Sequence, residues 1–135
     1  MTKADKPLAE KPLIEVFGQR PGRFELALKG AEMAGIGCKS KVLEVGCSYG
    51  DTSFLLAEAL GCEVTGIDAE GAYIEQALER TNQTQGKVNF FVADAARMPF
   101  ANQSFDYIFC EAAFSLLSDK EGAVAEYHRI LDQEG

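Results

Sequence analysis

No apolar run in the 135-residue chain approaches the roughly 20 residues that cross a membrane, so no membrane partner is expected. The opening stretch MTKADKPLAEKP has no apolar core of the kind a secretion signal carries. Four cysteines, Cys38, Cys47, Cys62 and Cys110, are scattered without a CxxC pair. That spacing favours reduced thiols in a cytoplasmic protein over a disulfide or zinc framework, and no metal site is expected. Basic residues are scarce beyond the first third. Residues 42–135 carry five Lys/Arg against sixteen Asp/Glu, net −11, while residues 1–41 are net +3. An acidic body lacks the basic face that a nucleic-acid binder needs, so no nucleic-acid partner is expected. No glycine-rich loop is followed by Gly-Lys-Ser/Thr, which excludes a phosphate-cradling P-loop. Internal repeats and low-complexity segments are absent.

What remains is an ordinary globular composition, 47% hydrophobic and 25% charged, long enough for one domain. The informative stretch is Lys41 to Asp51, KVLEVGCSYGD. Val42, Leu43 and Val45 form a short apolar run flanked by charge, which predicts a buried central strand. Gly46, Ser48 and Gly50 follow at two-residue spacing, and then the helical run Phe54 to Leu60. Strand, glycine turn and helix make the opening unit of a nucleotide-type βαβ domain. Asp51 reads as a helix N-cap.

Residues 1–19, with Pro7 and Pro12, read as a flexible tail, and residues 20–135 as the folded domain. Apolar spacing at Phe24, Ala27, Leu28, Ala31 and Ala34 predicts a helix over 23–36. Strands are expected at about 41–46, 63–67, 88–93 and 105–110. Helices are expected at 52–60, at 69–80 with Tyr73, Ile74, Ala77 and Leu78 on one face, and at 119–131 with Val124, Tyr127 and Leu131 inward. Alternating strands and helices imply a parallel α/β sheet, whose ligands sit at the strand C-terminal ends.

Those ends offer Glu44, Asp51, Asp68, Asp94 and Glu111. The dinucleotide fingerprint places its third glycine five residues after the first. Here Ser48 stands at the second position and Asp51 at the third, and a carboxylate at the helix mouth opposes a pyrophosphate. A ligand that accepts five acids is cationic or rich in hydroxyl and amino donors. S-adenosylmethionine, with a sulfonium, an ammonium, a ribose diol and an adenine amino group, meets both conditions.

The chain resembles the class I S-adenosylmethionine-dependent methyltransferases, and within them the ubiquinone/menaquinone-biosynthesis branch. The resemblance is carried by VLEVGCSYGDTS (42–53), VTGID (64–68), FVADAARMPFANQSFDYIFCEAAF (91–114) and EYHRILDQEG (126–135). It implies a Rossmann-like doubly wound parallel sheet, shortened to about four strands in the order 3-2-1-4, because strands five to seven of the family's sheet have no counterpart here. It implies a methyltransferase of a small-molecule acceptor, with S-adenosylmethionine as cofactor and S-adenosylhomocysteine as product. The other reading is a catalytically incomplete cofactor-binding module that needs a partner chain, and a homodimer covering strand four is one way to supply it. By resemblance, Gly46, Cys47, Ser48 and Gly50 line the methionine portion and sugar, with Glu44 supporting the turn. Asp68 takes the ribose diol, Asp94 the adenine amino group, and Ala95 N–H lies near the ring. Ala69 and Met98 flank the adenine, and Glu111 and Phe114 lie where the methyl group meets the acceptor.

Ser48 departs from the glycine common in the family at that place. No catalytic residue is singled out, since methyl displacement asks chiefly for alignment. His128, the sole histidine, and Asp106 read as structural. Cys47 and Cys110 end adjacent strands, and either two separate buried thiols or a joint thiol site fits that placement. Arg20 and Arg23 precede the first helix and read as a solvated helix start or as contacts to a carboxylate.

Overall fold

The computed structural model describes residues 23–81, 87–110 and 117–131. In chain order the elements are α1 (Arg23–Ala34), β1 (Lys41–Val45), α2 (Asp51–Leu60), β2 (Glu63–Asp68), α3 (Gly71–Glu79), β3 (Val88–Val92), β4 (Tyr107–Phe109) and α4 (Lys120–Ile130). All strand pairs are parallel, and the sheet order is β3-β2-β1-β4, as expected. The flexible tail and part of the polar loop after Thr81 lie outside the described residues.

Val42 to Val45 of β1 are all buried, Glu44 included, because both faces of the strand are covered. Val42 joins one core with Phe24 and Ala31 of α1, Phe54 and Leu56 of α2, and Ile74 and Ala77 of α3. Leu43 and Val45 point the other way and join Ile67, Phe105, and Ala123 and Ile130 of α4. The sheet is therefore sandwiched, with its glycine turn emerging from the most buried strand.

Helix faces depart from the expected registers in three places. The inward residues of α4 are Ala123 and Ile130, both fully buried, while Val124 is 39% exposed. The face Ala123–Tyr127–Ile130 keeps helical spacing, with its end residues one position before the expected Val124 and Leu131, and packs on Leu43, Val45 and Ile67. In α3 Leu78 is 48% exposed, and Arg80 is buried. In α1 Ala34 is exposed, since Gly35, at φ 87°, turns the chain away and returns Ile36 to the core.

Three local devices set the ends and interior of the sheet. Gly61, at φ 69°, closes α2 by donating its N–H to Ala57 O. Asp106 accepts from Lys41 N–H at 2.8 Å and returns its own N–H to Lys41 O, pinning the entry to β4 against β1. The ring of Phe90 in β3 lies across Gly66, its register partner in β2, and against Gly50. A Cβ on Gly66 would stand 2.7 Å from that ring, and one on Gly50 2.5 Å.

Candidate cofactor-binding site

The turn after β1 is built by alternating left-handed residues: Gly46 (φ 73°), Ser48 (φ 55°) and Gly50 (φ 87°). Side chains resist that region, so two of the three places hold glycine. Gly46 and Cys47 both donate their N–H to Ile67 O, at 2.9 and 3.0 Å, and Gly50 N–H closes onto Cys47 O at 2.8 Å. Gly50, not Asp51, occupies the N-cap position of α2, and no side chain caps that helix. The expected N-cap role of Asp51 is thus corrected: the left-handed glycine ends the turn, and Asp51 is the first helical residue.

The carboxylate of Asp51 instead pairs with Arg80 Nη1 at 2.7 Å in the interior. The same nitrogen donates to Tyr49 O at 3.0 Å, and the guanidinium lies 4.6 Å from the centre of the Phe54 ring. Glu44 is 3% exposed and accepts from Ser53 Oγ at 2.6 Å. Two of the acids assigned to a ligand-facing set are therefore engaged inside the protein, and the charge of Asp51 is matched by a buried cation. Arg80 was not among the residues singled out from sequence. Its signal was its position, seven residues after Tyr73 and three after Ala77, on the apolar face of α3.

Asp68 ends β2 with its carboxylate half-buried between two loops. Oδ2 accepts from Ser48 N–H at 3.0 Å and Oδ1 from Glu70 N–H at 2.9 Å. Each oxygen keeps a further lone pair for a donor from outside. Ala69, next in the chain, is exposed. Past β3, Asp94 is exposed and accepts from Ala96 N–H at 2.9 Å. Ala95 and Met98 are buried against the α4 side of the sheet. The Met98 segment is held from α4: Glu126 Oε2 accepts Met98 N–H at 2.7 Å, and Arg129 donates to Met98 O and Phe100 O at 3.0 and 2.6 Å. The Arg129 guanidinium beside Glu126 holds that carboxyl down at about 2, and the Met98 N–H assists.

Gly46, Ser48, Asp68 and the Asp94–Met98 segment thus lie at the C-terminal ends of three neighbouring strands. Glu111, Phe114 and Arg20 lie outside the described residues. Cys47 and Cys110 pack on opposite faces of the sheet, so a joint thiol site is not formed. Burial, then Glu44 and Asp68, push the Cys47 thiol far up, which keeps it protonated. Tyr127 is likewise pushed up by burial and by Cys110, whose sulfur lies 3.9 Å from its hydroxyl. His128 is exposed in the last turn of α4. Among the described residues no helix is long and apolar enough to cross a membrane.

A three-helices-plus-one parallel sheet, with a left-handed glycine turn after the central strand and an aspartate ending its neighbour, defines a Rossmann-like cofactor-binding domain. Residues 42–135 match the family described as a methyltransferase domain, and the chain belongs to that family. It is similar to an uncharacterised protein of Haemophilus influenzae, 39% identical over 99 residues, covering 70% of this chain and 39% of that protein. Phosphoethanolamine N-methyltransferase 1 of Arabidopsis thaliana is 32% identical over 123 residues, covering 89% and 25%. Among solved structures, a phosphoethanolamine N-methyltransferase 2 of Haemonchus contortus, in complex with phosphomonomethylethanolamine and S-adenosylhomocysteine, aligns with TM-score 0.76 at 24% identity. That alignment covers 83% of this chain and 27% of that one. The chain spans about two-fifths or less of the length of these relatives. They do not single out the ubiquinone/menaquinone branch.

Proposed function

We propose that the chain is the cofactor-binding part of an S-adenosylmethionine-dependent methyltransferase acting on a small molecule in the cytoplasm. The observation that carries this reading is the Asp68 carboxylate, fixed to the Ser48 N–H of the glycine turn at the end of β2. A vicinal diol placed there meets a rigid acceptor with spare lone pairs. The residues present suit the cofactor. Asp68 and Asp94 supply acceptors for the ribose diol and adenine amino group. Ala69 and the buried Met98 supply the two apolar sides for the ring, and Ala95 N–H lies beside it. Gly46, Cys47, Ser48 and Gly50 supply a turn that a main chain or ligand can approach closely, and Glu44 braces that turn through Ser53.

The cofactor supplies a methyl group activated on a sulfonium. The protein's part is to hold the sugar, the ring and the amino-acid end so that an acceptor atom meets that methyl in line. The protonated Cys47 thiol offers no competing nucleophile beside it. Glu111, following β4, is assigned to the acceptor side of the site.

Calorimetry with S-adenosylhomocysteine and with NAD tests the reading. Binding of the former alone is expected, and binding of NAD alone would sink it. A second reading, a module completed by a partner chain, is favoured by one observation. The outer side of β4 is met among the described residues only by a single bridge, Phe105 with Leu131, below the strand itself. A second copy of the chain across that edge would cover it.

A further inference from the structure

Arg80 is the largest side chain in the described structure with no exposure at all. It stands at the C-cap of α3, where a charged residue ordinarily reaches into water. Burying a guanidinium is costly, and replacing a buried ion pair with well-packed apolar groups is often neutral or stabilising. Stability alone therefore gives a weak account of this residue. Its hydrogen bonds give a better one. One goes to the glycine turn, at Tyr49 O, and one to Asp51 Oδ1 at the start of α2, and both come from Nη1. Nε and Nη2 have no hydrogen-bond partner among the described residues, and the guanidinium lies over the Phe54 ring, so its hydrogen bonding is confined to the turn and the helix start beside it.

The Tyr49–Gly50 peptide is thereby held at both ends. Its C=O accepts from Arg80, and its N–H donates to Cys47 O at 2.8 Å. The Tyr49 ring also packs edge-on against Tyr73 of α3, with centroids 4.8 Å apart. A second element, the helix that follows Asp68, thus fixes the orientation of a peptide in the turn that follows β1.

We infer that Arg80 is a positioning residue for cofactor binding: it sets the Tyr49–Gly50 peptide so that residues 46–50 receive the amino-acid end of S-adenosylmethionine. The inference rests on the proposed function. Its signature is selective. S-adenosylhomocysteine carries the amino-acid end, while 5′-methylthioadenosine shares the nucleoside and lacks that end. Loss of Arg80 lowers the first affinity more than the second.

The test is calorimetry of both ligands on the full chain, on Arg80→Met and Arg80→Lys, and on Ile74→Val as a control buried in the same helix. Arg80→Met is expected to lower the affinity for S-adenosylhomocysteine, relative to 5′-methylthioadenosine, by about tenfold. Arg80→Lys keeps a cation but loses the fork, and a relative loss of about threefold is expected. Ile74→Val is expected to leave the ratio unchanged. An unchanged ratio in Arg80→Met overturns the inference. If that variant does not fold, an unchanged ratio in Arg80→Lys does the same. Failure of the unaltered chain to bind either ligand overturns the proposed function and, with it, this inference.

Discussion

Gly50 and Ser48 occupy the same left-handed region two residues apart, and only one of them tolerates a side chain. At Gly50 an added methyl meets the Phe90 ring at 2.5 Å and the Phe54 ring at 3.1 Å. The left-handed backbone adds about 1–2 kcal/mol for any L side chain, and overpacking adds about 1–3 kcal/mol. Gly50→Ala is therefore expected to lower the urea midpoint strongly without changing the slope, as a pure stability loss does. Ser48→Gly is expected to move the midpoint little. Relief of its left-handed cost is offset by about 0.5–1 kcal/mol of extra chain entropy in the unfolded state. A Gly50→Ala protein as stable as the unaltered one would show that the turn relaxes away from Phe90. Ser48 was legible as a small residue in a glycine's place, but Asp51 was misread. Its neighbours in sequence suggest a cap, whereas its partner, Arg80, comes from a different helix and leaves no mark on local spacing.

The segment carrying Met98 has no regular structure, and its conformation is owed to α4. Glu126 and Arg129 lie three residues apart on that helix and bond to each other, Arg129 Nε to Glu126 Oε1 at 2.7 Å. Together they take up the backbone of Met98 and Phe100. The Glu126 carboxyl is held below its ordinary value of 4.5, at about 2, in the folded state. A depressed acid stabilises the fold fully above its unfolded value and loses that contribution as pH falls through the folded one. The stability gap between the unaltered chain and Glu126→Gln is thus expected to be full at pH 6 and to close between about pH 4.5 and about pH 2. Urea titrations at pH 6 and pH 3 read this, and a gap that widens in acid would contradict it. The element pattern itself was readable: every strand and helix falls within a few residues of its expected place. The facing of α4 was not, because Ala123 and Val124 both fit a helical apolar stripe, and the choice is made by tertiary packing that local spacing does not record.

At the scale of the molecule, the assembly of Gly46, Asp68 and Asp94 at one end of the sheet followed from βα alternation, since parallel strands must all end on the same side, while the strand order came from the family resemblance. What alternation does not carry is how charge is balanced across elements. Glu44 and Asp51 looked like ligand-facing acids and are internal braces, which leaves Asp68 and Asp94 as the described acids at the strand ends with capacity to spare. The side chains of β4 pack on the two faces of the sheet, Tyr107 and Phe109 against one core and Ile108 against the other, so its outer edge presents backbone N–H and C=O groups. If a second copy covers that edge, sedimentation velocity shows dimer growing with concentration, and a monomer at every concentration counts against a homodimer.

The Phe90 ring ties positions 50, 66 and 90 into a single historical unit. Gly66 has no left-handed backbone to preserve, and crowding alone keeps it bare: an added Cβ would meet that ring at 2.7 Å and the Cys47 Cβ at 2.9 Å. Gly50 is bound twice, by the ring and by its φ of 87°. Were Phe90 to shrink in a descendant lineage, position 66 would lose one of its two obstacles and drift to alanine only with a small shift of Cys47, while position 50 stayed glycine. Covariation across descendants should therefore couple 66 with 90 and with 47, and leave 50 invariant.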